Sequence, residues 1–183
     1  MIGRLPKTLT VDGEIYDINS DYRAALTIFE ALGDKTLSAL NKSFVLLEII
    51  YQFDIPANIT EAQKQAVWFL DIGDKVKREE HIFTPQTMDY KQDEQLLFSA
   101  VGAVTGYDIR EEEYLHWWSF YGMCQAISPD ALLSHIVGIR DKQARGKKLN
   151  KSEQEFYTRN RHLIDMQASV DAYEEMVKQL RGE

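Results

Sequence analysis

The chain has 183 residues and a mass of 21.2 kDa, which is about one domain by length. With 21 Lys and Arg against 29 Asp and Glu, the formal charge of −8 excludes a general polyanion binder such as a histone-like protein. The single cysteine, Cys124, excludes an intramolecular disulfide, and 44% hydrophobic with 11% aromatic residues excludes a disordered chain.

In chain order, Leu9-Thr10-Val11 and Glu14-Ile15-Tyr16-Asp17-Ile18 alternate around Asp12-Gly13, a pair that tolerates the positive φ of a tight turn. They predict a β-hairpin over about residues 8–19. Ser20 or Asp21 then caps a first helix, in which Tyr22, Leu26, Phe29 and Leu32 recur at helical spacing until Gly33. From about Asn41 to Phe53 the chain is apolar around most of a helical circumference, which predicts the central core helix, ended by Ile55-Pro56. Thr60-Glu61-Ala62-Gln63 has the form of a capping box and predicts a helix carrying Ala66, Val67, Phe69 and Leu70 as far as Gly73. Asp74 to Pro85 is highly charged and aperiodic and reads as a mobile surface loop.

Asp89 is expected to cap a helix that turns Leu96, Leu97, Ala100, Val101 and Val104 inward and stops at Gly106. Glu111, Glu112 and Glu113 suit the positive end of the next helix, which runs through Leu115, Trp117, Trp118, Phe120, Tyr121 and Met123. Ser128-Pro129-Asp130 places a capping hydroxyl before a proline at a first helical position, ahead of Leu132, Leu133, Ile136, Val137 and Ile139. Ser152 with Glu155 gives a second capping box, opening a helix through Phe156 and Tyr157, and Ala168 to Leu180 is amphipathic at helical spacing. The sum is a mainly α fold. It is read as one compact domain over residues 1–183, with six to eight helices, the N-terminal hairpin and a C-terminal helical extension over about residues 150–183.

Phosphate-cradling motifs are absent: Gly146-Lys147-Lys148 lacks the upstream glycine and following hydroxyl of a P-loop, and no G-x-G-x-x-G occurs. Cys124 lies in an apolar aromatic run, where a small buried thiol is the expected reading. Glu113-x-x-His116 has the i, i+3 spacing that sets a carboxylate and an imidazole on one helical face, as in di-iron bundles. The residues three before His81, His135 and His162 are Arg78, Leu132 and Arg159, so no second half-site exists, and His116 is read as a polar or interface residue. No metal, cofactor or catalytic residue is assigned.

Two stretches are candidates for partner binding. Between Arg140 and Arg161, eight basic residues face three acidic ones. The plain reading is a solvated helix–loop–helix corner, and the functional one is a patch at Lys147, Lys148 and Lys151 that docks an acidic partner or RNA. Tyr114, Trp117, Trp118 and Tyr121 offer more aromatic surface than one core stripe uses. Burial is the favoured reading, with exposure of part of this belt as an interface anchor the alternative.

Several strings carry a resemblance: Ile2-Gly3-Arg4-Leu5-Pro6, Asp21-Tyr22-Arg23, Leu47-Glu48-Ile49-Ile50-Tyr51, Trp68-Phe69-Leu70, Met88-Asp89-Tyr90-Lys91-Gln92-Asp93 and Leu115-His116-Trp117-Trp118-Ser119-Phe120. Together they resemble the gp-fifteen family of proteins from tailed phages and prophages of Gram-positive bacteria, from Ile2 to about Arg140. The resemblance implies a gene in the tail module just before the long tape-measure gene, a position that tail assembly chaperones fill in many long-tailed phages. The expected partner is the tape-measure protein, with the tail-tube protein or an upstream chaperone product as further candidates. Neither nucleic acid nor membrane is expected to bind, and homo-oligomerisation stays open. The expected location is the cytoplasm of the bacterial host, since no run approaches the roughly 18 apolar residues of a membrane span and Met1 to Pro6 lacks the apolar region of a secretory signal. The alternatives are a structural component retained in the tail and a metal-dependent enzyme through Glu113 and His116.

Overall fold

A computed structural model describes residues 3–73 and 87–166. The expected loop from Asp74 to Pro85 and the amphipathic stretch from Ala168 to Leu180 lie outside the described residues. Mainly α architecture with a two-stranded N-terminal hairpin is what the chain adopts, with seven α-helices among the described residues. Packing groups the described residues into two compact units, residues 3–73 with 110–126 and residues 87–109 with 127–166.

In the first unit β1 (Thr8–Val11) pairs antiparallel with β2 (Glu14–Asp17), with Val11 opposite Glu14. Asp12 (φ 52) and Gly13 (φ 87) both take the left-handed conformation that a two-residue hairpin turn requires. Leu9 and Val11 are buried while their neighbours face water, so the period-two pattern is real on this strand. Helix α1 (Tyr22–Gly33) starts at Asp21, whose carboxylate accepts the Arg23 N–H at 2.9 Å.

Helix α2 (Ala39–Tyr51) begins at Ser38, whose hydroxyl accepts the Asn41 N–H. It ends at Gln52 and Phe53, at φ 50 and φ 77, before Ile55-Pro56 is reached. It is a core helix over its second half only. Leu46, Leu47, Ile50 and Tyr51 are buried, while Leu40 and Phe44 are 65% and 50% exposed, because no element among the described residues covers the face they share at i, i+4. Helix α3 (Ile59–Leu70) begins two residues earlier than the Thr60 box implies: Asn58 accepts the Glu61 N–H at 3.2 Å. Asparagine caps as well as serine or threonine, and Glu61 stands three residues after Asn58 just as Gln63 stands three after Thr60. Helix α5 (Trp117–Gln125) completes this unit, stacking Phe120 on Tyr22 at 4.6 Å between ring centres.

In the second unit Asp89 organises a turn, accepting the N–H groups of Lys91 and Gln92, and helix α4 (Glu94–Thr105) starts only after Asp93. Gly106, at φ 83, ends it as expected. Phe98 takes a buried place on α4, and Val104, expected inward, is exposed near the last turn. Ser128 does not cap helix α6 (Leu132–Ala144). Its hydroxyl accepts the Asp130 N–H in a preceding turn, and Ala131 stands at the cap position. Helix α7 (Lys151–Ile164) again starts earlier than its Ser152 box implies, through a reciprocal box between Asn150 and Glu153. Ile136, Ile139 and Ile164 form the centre of this core.

A buried ion pair runs through that centre. Arg140 donates from both terminal nitrogens to the Asp93 carboxylate, at 2.6 and 3.0 Å, and from its remaining N–H groups to the carbonyls of Ile164, Leu163 and Thr87. Asp93 also accepts the Asp89 N–H. Removing one partner strands a buried charge, which costs about 3–5 kcal/mol. Arg140→Ala and Asp93→Ala should each lower the unfolding free energy in urea by that order, and the double variant should lose clearly less than the sum. Additive losses would show that the two side chains act independently.

Candidate functional site

Residues 112–116 precede α5 without helical structure, so the acidic triplet does not occupy a helix N-terminus and Glu113 and His116 do not share a helical face. The chain there is held extended by Asp21: its backbone bridges His116, and its carboxylate accepts the Leu115 N–H at 3.1 Å. His116 is itself the N-cap of α5. Nδ1 accepts the Trp118 N–H at 3.0 Å, which leaves the proton on Nε2, and Nε2 donates to the Pro6 carbonyl at 2.8 Å. Burial, opposed by the Pro6 bond and reinforced by the Lys7 ammonium, holds the imidazole below its ordinary pKa of 6.5. Both ring nitrogens are thus committed to protein partners. Among the described residues no group of three or more His, Cys, Asp and Glu could hold a metal. Burial pushes the Cys124 thiol up to about 11, far from thiolate formation at neutral pH.

The two tryptophans face the end of α3. Trp117 donates its indole N–H to the Leu70 carbonyl at 3.0 Å, and Trp118 donates to the Phe69 carbonyl at 2.8 Å. The turn they close is tight: Ile72 sits at φ 60, and a Cβ on Gly73 would lie 2.9 Å from the Trp118 ring. Trp117 is buried and Trp118 half-buried. Tyr114 and Tyr121 keep 44% and 37% of their surface in water. The Tyr114 hydroxyl is 2.7 Å from Ser20 Oγ, with the Lys7 ammonium over its ring, and Tyr121 packs edge-on against Trp117. The first unit therefore holds all four aromatic candidates, but only the tyrosines offer substantial surface.

Lys147, Lys148 and Lys151 lie in the second unit. Gly146, at φ 65, turns the chain out of α6, Lys147 and Lys148 are exposed in the loop that follows, and Lys151 is the first residue of α7. Lys151 lines a shallow groove along α7 together with Leu149, Gln154, Glu155, Thr158 and Arg159. Arg159 was countable in the basic run but is singled out only by this placement.

The chain matches the family model described as Bacteriophage Gp15 protein over residues 1–166. It belongs to that phage protein family. No curated protein and no solved structure matches it. The Gp15 match spans both units and takes in α7, further than the resemblance in the opening strings reached. Within it, the Leu-His-Trp-Trp string of residues 115–118 and the Asp-Tyr-x-x-Asp string of residues 89–93 are the two knots of internal hydrogen bonds described above.

The His116 arrangement has a pH signature. The unfolded imidazole takes up a proton near 6.5 while the folded one resists it, so the unfolded state binds more protons and stability falls as pH drops from about 6.5 through the folded value. His116→Asn keeps a cap acceptor that does not titrate, so its unfolding free energy should vary less with pH between about 6.5 and 5 than that of the parent chain. Identical slopes in urea titrations at matched pH would remove His116 from this role.

Proposed function

We propose that this Gp15-family protein is a non-enzymatic tail assembly chaperone that binds the phage tape-measure protein in the host cytoplasm. The observation that carries the reading is the set of large apolar side chains that the first unit leaves in water. Phe53 is 92% exposed and Ile15 73%, and Leu40 and Phe44 continue in the open the helical row that Leu47 and Tyr51 complete inside the core. Exposed apolar groups one turn apart, as Leu40 and Phe44 are at i, i+4, are what a helical segment of another chain can cover. Phe53 adds strain to exposure, since two successive non-glycine residues in the left-handed region hold it out at the end of α2. Tyr114 and Tyr121, also exposed in this unit, carry amphipathic rings of the kind enriched at binding sites. The family supplies the phage context, and the tape-measure partner follows by analogy of gene position.

Co-expression with the product of the long reading frame expected downstream tests this directly. The tape-measure product should stay soluble and co-elute with the chain on size exclusion, and Leu40→Asp with Phe44→Asp should weaken the complex about tenfold or more while leaving the fold intact. No rescue and no complex would refute the reading, and stoichiometric presence of the chain in purified virions would replace it with a structural component of the tail.

A further inference from the structure

The basic run of the second unit divides into two sets of charges. Four of its eight cations are matched by carboxylates: Arg140 with Asp93, Lys142 with Glu153, Arg145 with Asp141 and Arg161 with Asp165. The other four, Lys147, Lys148, Lys151 and Arg159, are exposed and have no carboxylate within bonding distance among the described residues. On α7 the unmatched charges form a pattern. Lys151, Glu155 and Arg159 recur at i, i+4 and i+8, all ahead of the break in helical geometry at Asn160, and all three line the groove with Leu149. At 1.5 Å per residue they stand about 6 Å apart along one helix face, with cations at the ends and an anion between.

We propose that this face of α7 docks a helical protein segment that presents two carboxylates about two turns apart with a basic residue midway. A helix laid along α7 repeats the same 6 Å step, so all three charges can be met at once. Lys147 and Lys148, in the loop leading into α7, extend the cationic end toward further acidic residues of the partner. Two alternatives fit less well. Nucleic acid offers only anions, which the central Glu155 repels, and the net charge of −8 opposes it as well. A second copy paired about a two-fold axis through Glu155 sets Glu155 against Glu155 and cation against cation, and one shifted by half a step along α7 meets only two of the three charges of each copy. The inference rests on the function proposed above and assigns the segment to the tape-measure chain.

The test compares the complex of that chain with the parent protein, with Lys151→Glu/Arg159→Glu, with Glu155→Lys, and with Lys91→Glu as an exposed-charge control. The double reversal should weaken co-elution about tenfold or more, Glu155→Lys should weaken it less, raised salt should weaken the parent complex, and the control should change nothing. A parent complex indifferent to the double reversal would overturn this inference and leave the proposed function standing. No parent complex would overturn both. A complex strengthened by Glu155→Lys or dissolved by nuclease would overturn the mixed-charge helix in favour of a polyanion.

Discussion

The free carbonyls at the C-terminal ends of short helices are the constraint around which both units are organised. Each helix leaves its last four carbonyls without intrahelical donors, and a helix end taken into a core must find them elsewhere. At the end of α3 the Val67, Trp68 and Phe69 carbonyls take the N–H groups of Asp71, Gly73 and Ile72, and the two indoles of α5 give a second donor to Phe69 and the side-chain donor to Leu70. At the end of α7 the carbonyls of Leu163 and Ile164 take the guanidinium of Arg140, and Gln92 adds a second donor to Leu163. In each unit a long donor from another helix adds to what the backbone turn supplies. No buried side-chain nitrogen or oxygen lacks a partner among the described residues.

That solution decides which residues are left for function. A tryptophan that anchors a partner needs surface to offer, yet Trp117 and Trp118 direct their polar atoms to the end of α3, and Trp118 covers the turn at Gly73. A histidine that binds a metal or moves a proton needs a free nitrogen, yet His116 commits one to the first turn of α5 and the other to the strand entering the hairpin. His116, Trp117 and Trp118 therefore build the scaffold. What the scaffold presents is different in kind: bare apolar side chains on α2 and its C-terminal turn, and a row of alternating charge on α7.

Helix content was legible in the sequence because the apolar period is strong, and the hairpin because Asp12-Gly13 permits one narrow class of turn. Helix starts were less legible. Both capping boxes were sought from Thr60 and Ser152, while Asn58 and Asn150, each three residues before a glutamate, hold the caps. The start of α5 was misplaced for another reason: three glutamates suit a helix N-terminus on electrostatic grounds, but a histidine ring in direct hydrogen bond with Trp118 occupies it. Exposure of Leu40 and Phe44 could not be read from their own segment, since composition shows which residues are able to be buried and only the packing shows whether anything covers them. The lysines of the candidate patch could be named from the sequence, but not their relation to Arg159.

The charge of the basic run shows where counting along the chain ends and geometry begins. A tally over residues 140–161 treats Arg140 and Arg159 alike, since both are arginines in one stretch. Helical phase separates them. Leu133, Ile136 and Arg140 fall at i, i+3 and i+7, so Arg140 stands on the buried row of α6, where an arginine persists only with an anion and acceptors for all its donors. Arg159 stands four and eight residues from Glu155 and Lys151 on the open face of α7. One is removed from the surface field by its partner, and the other contributes to it in full. A patch inferred from composition therefore has half the free cations that it reads, and on α7 what remains has an order, cation, anion, cation, that composition does not contain.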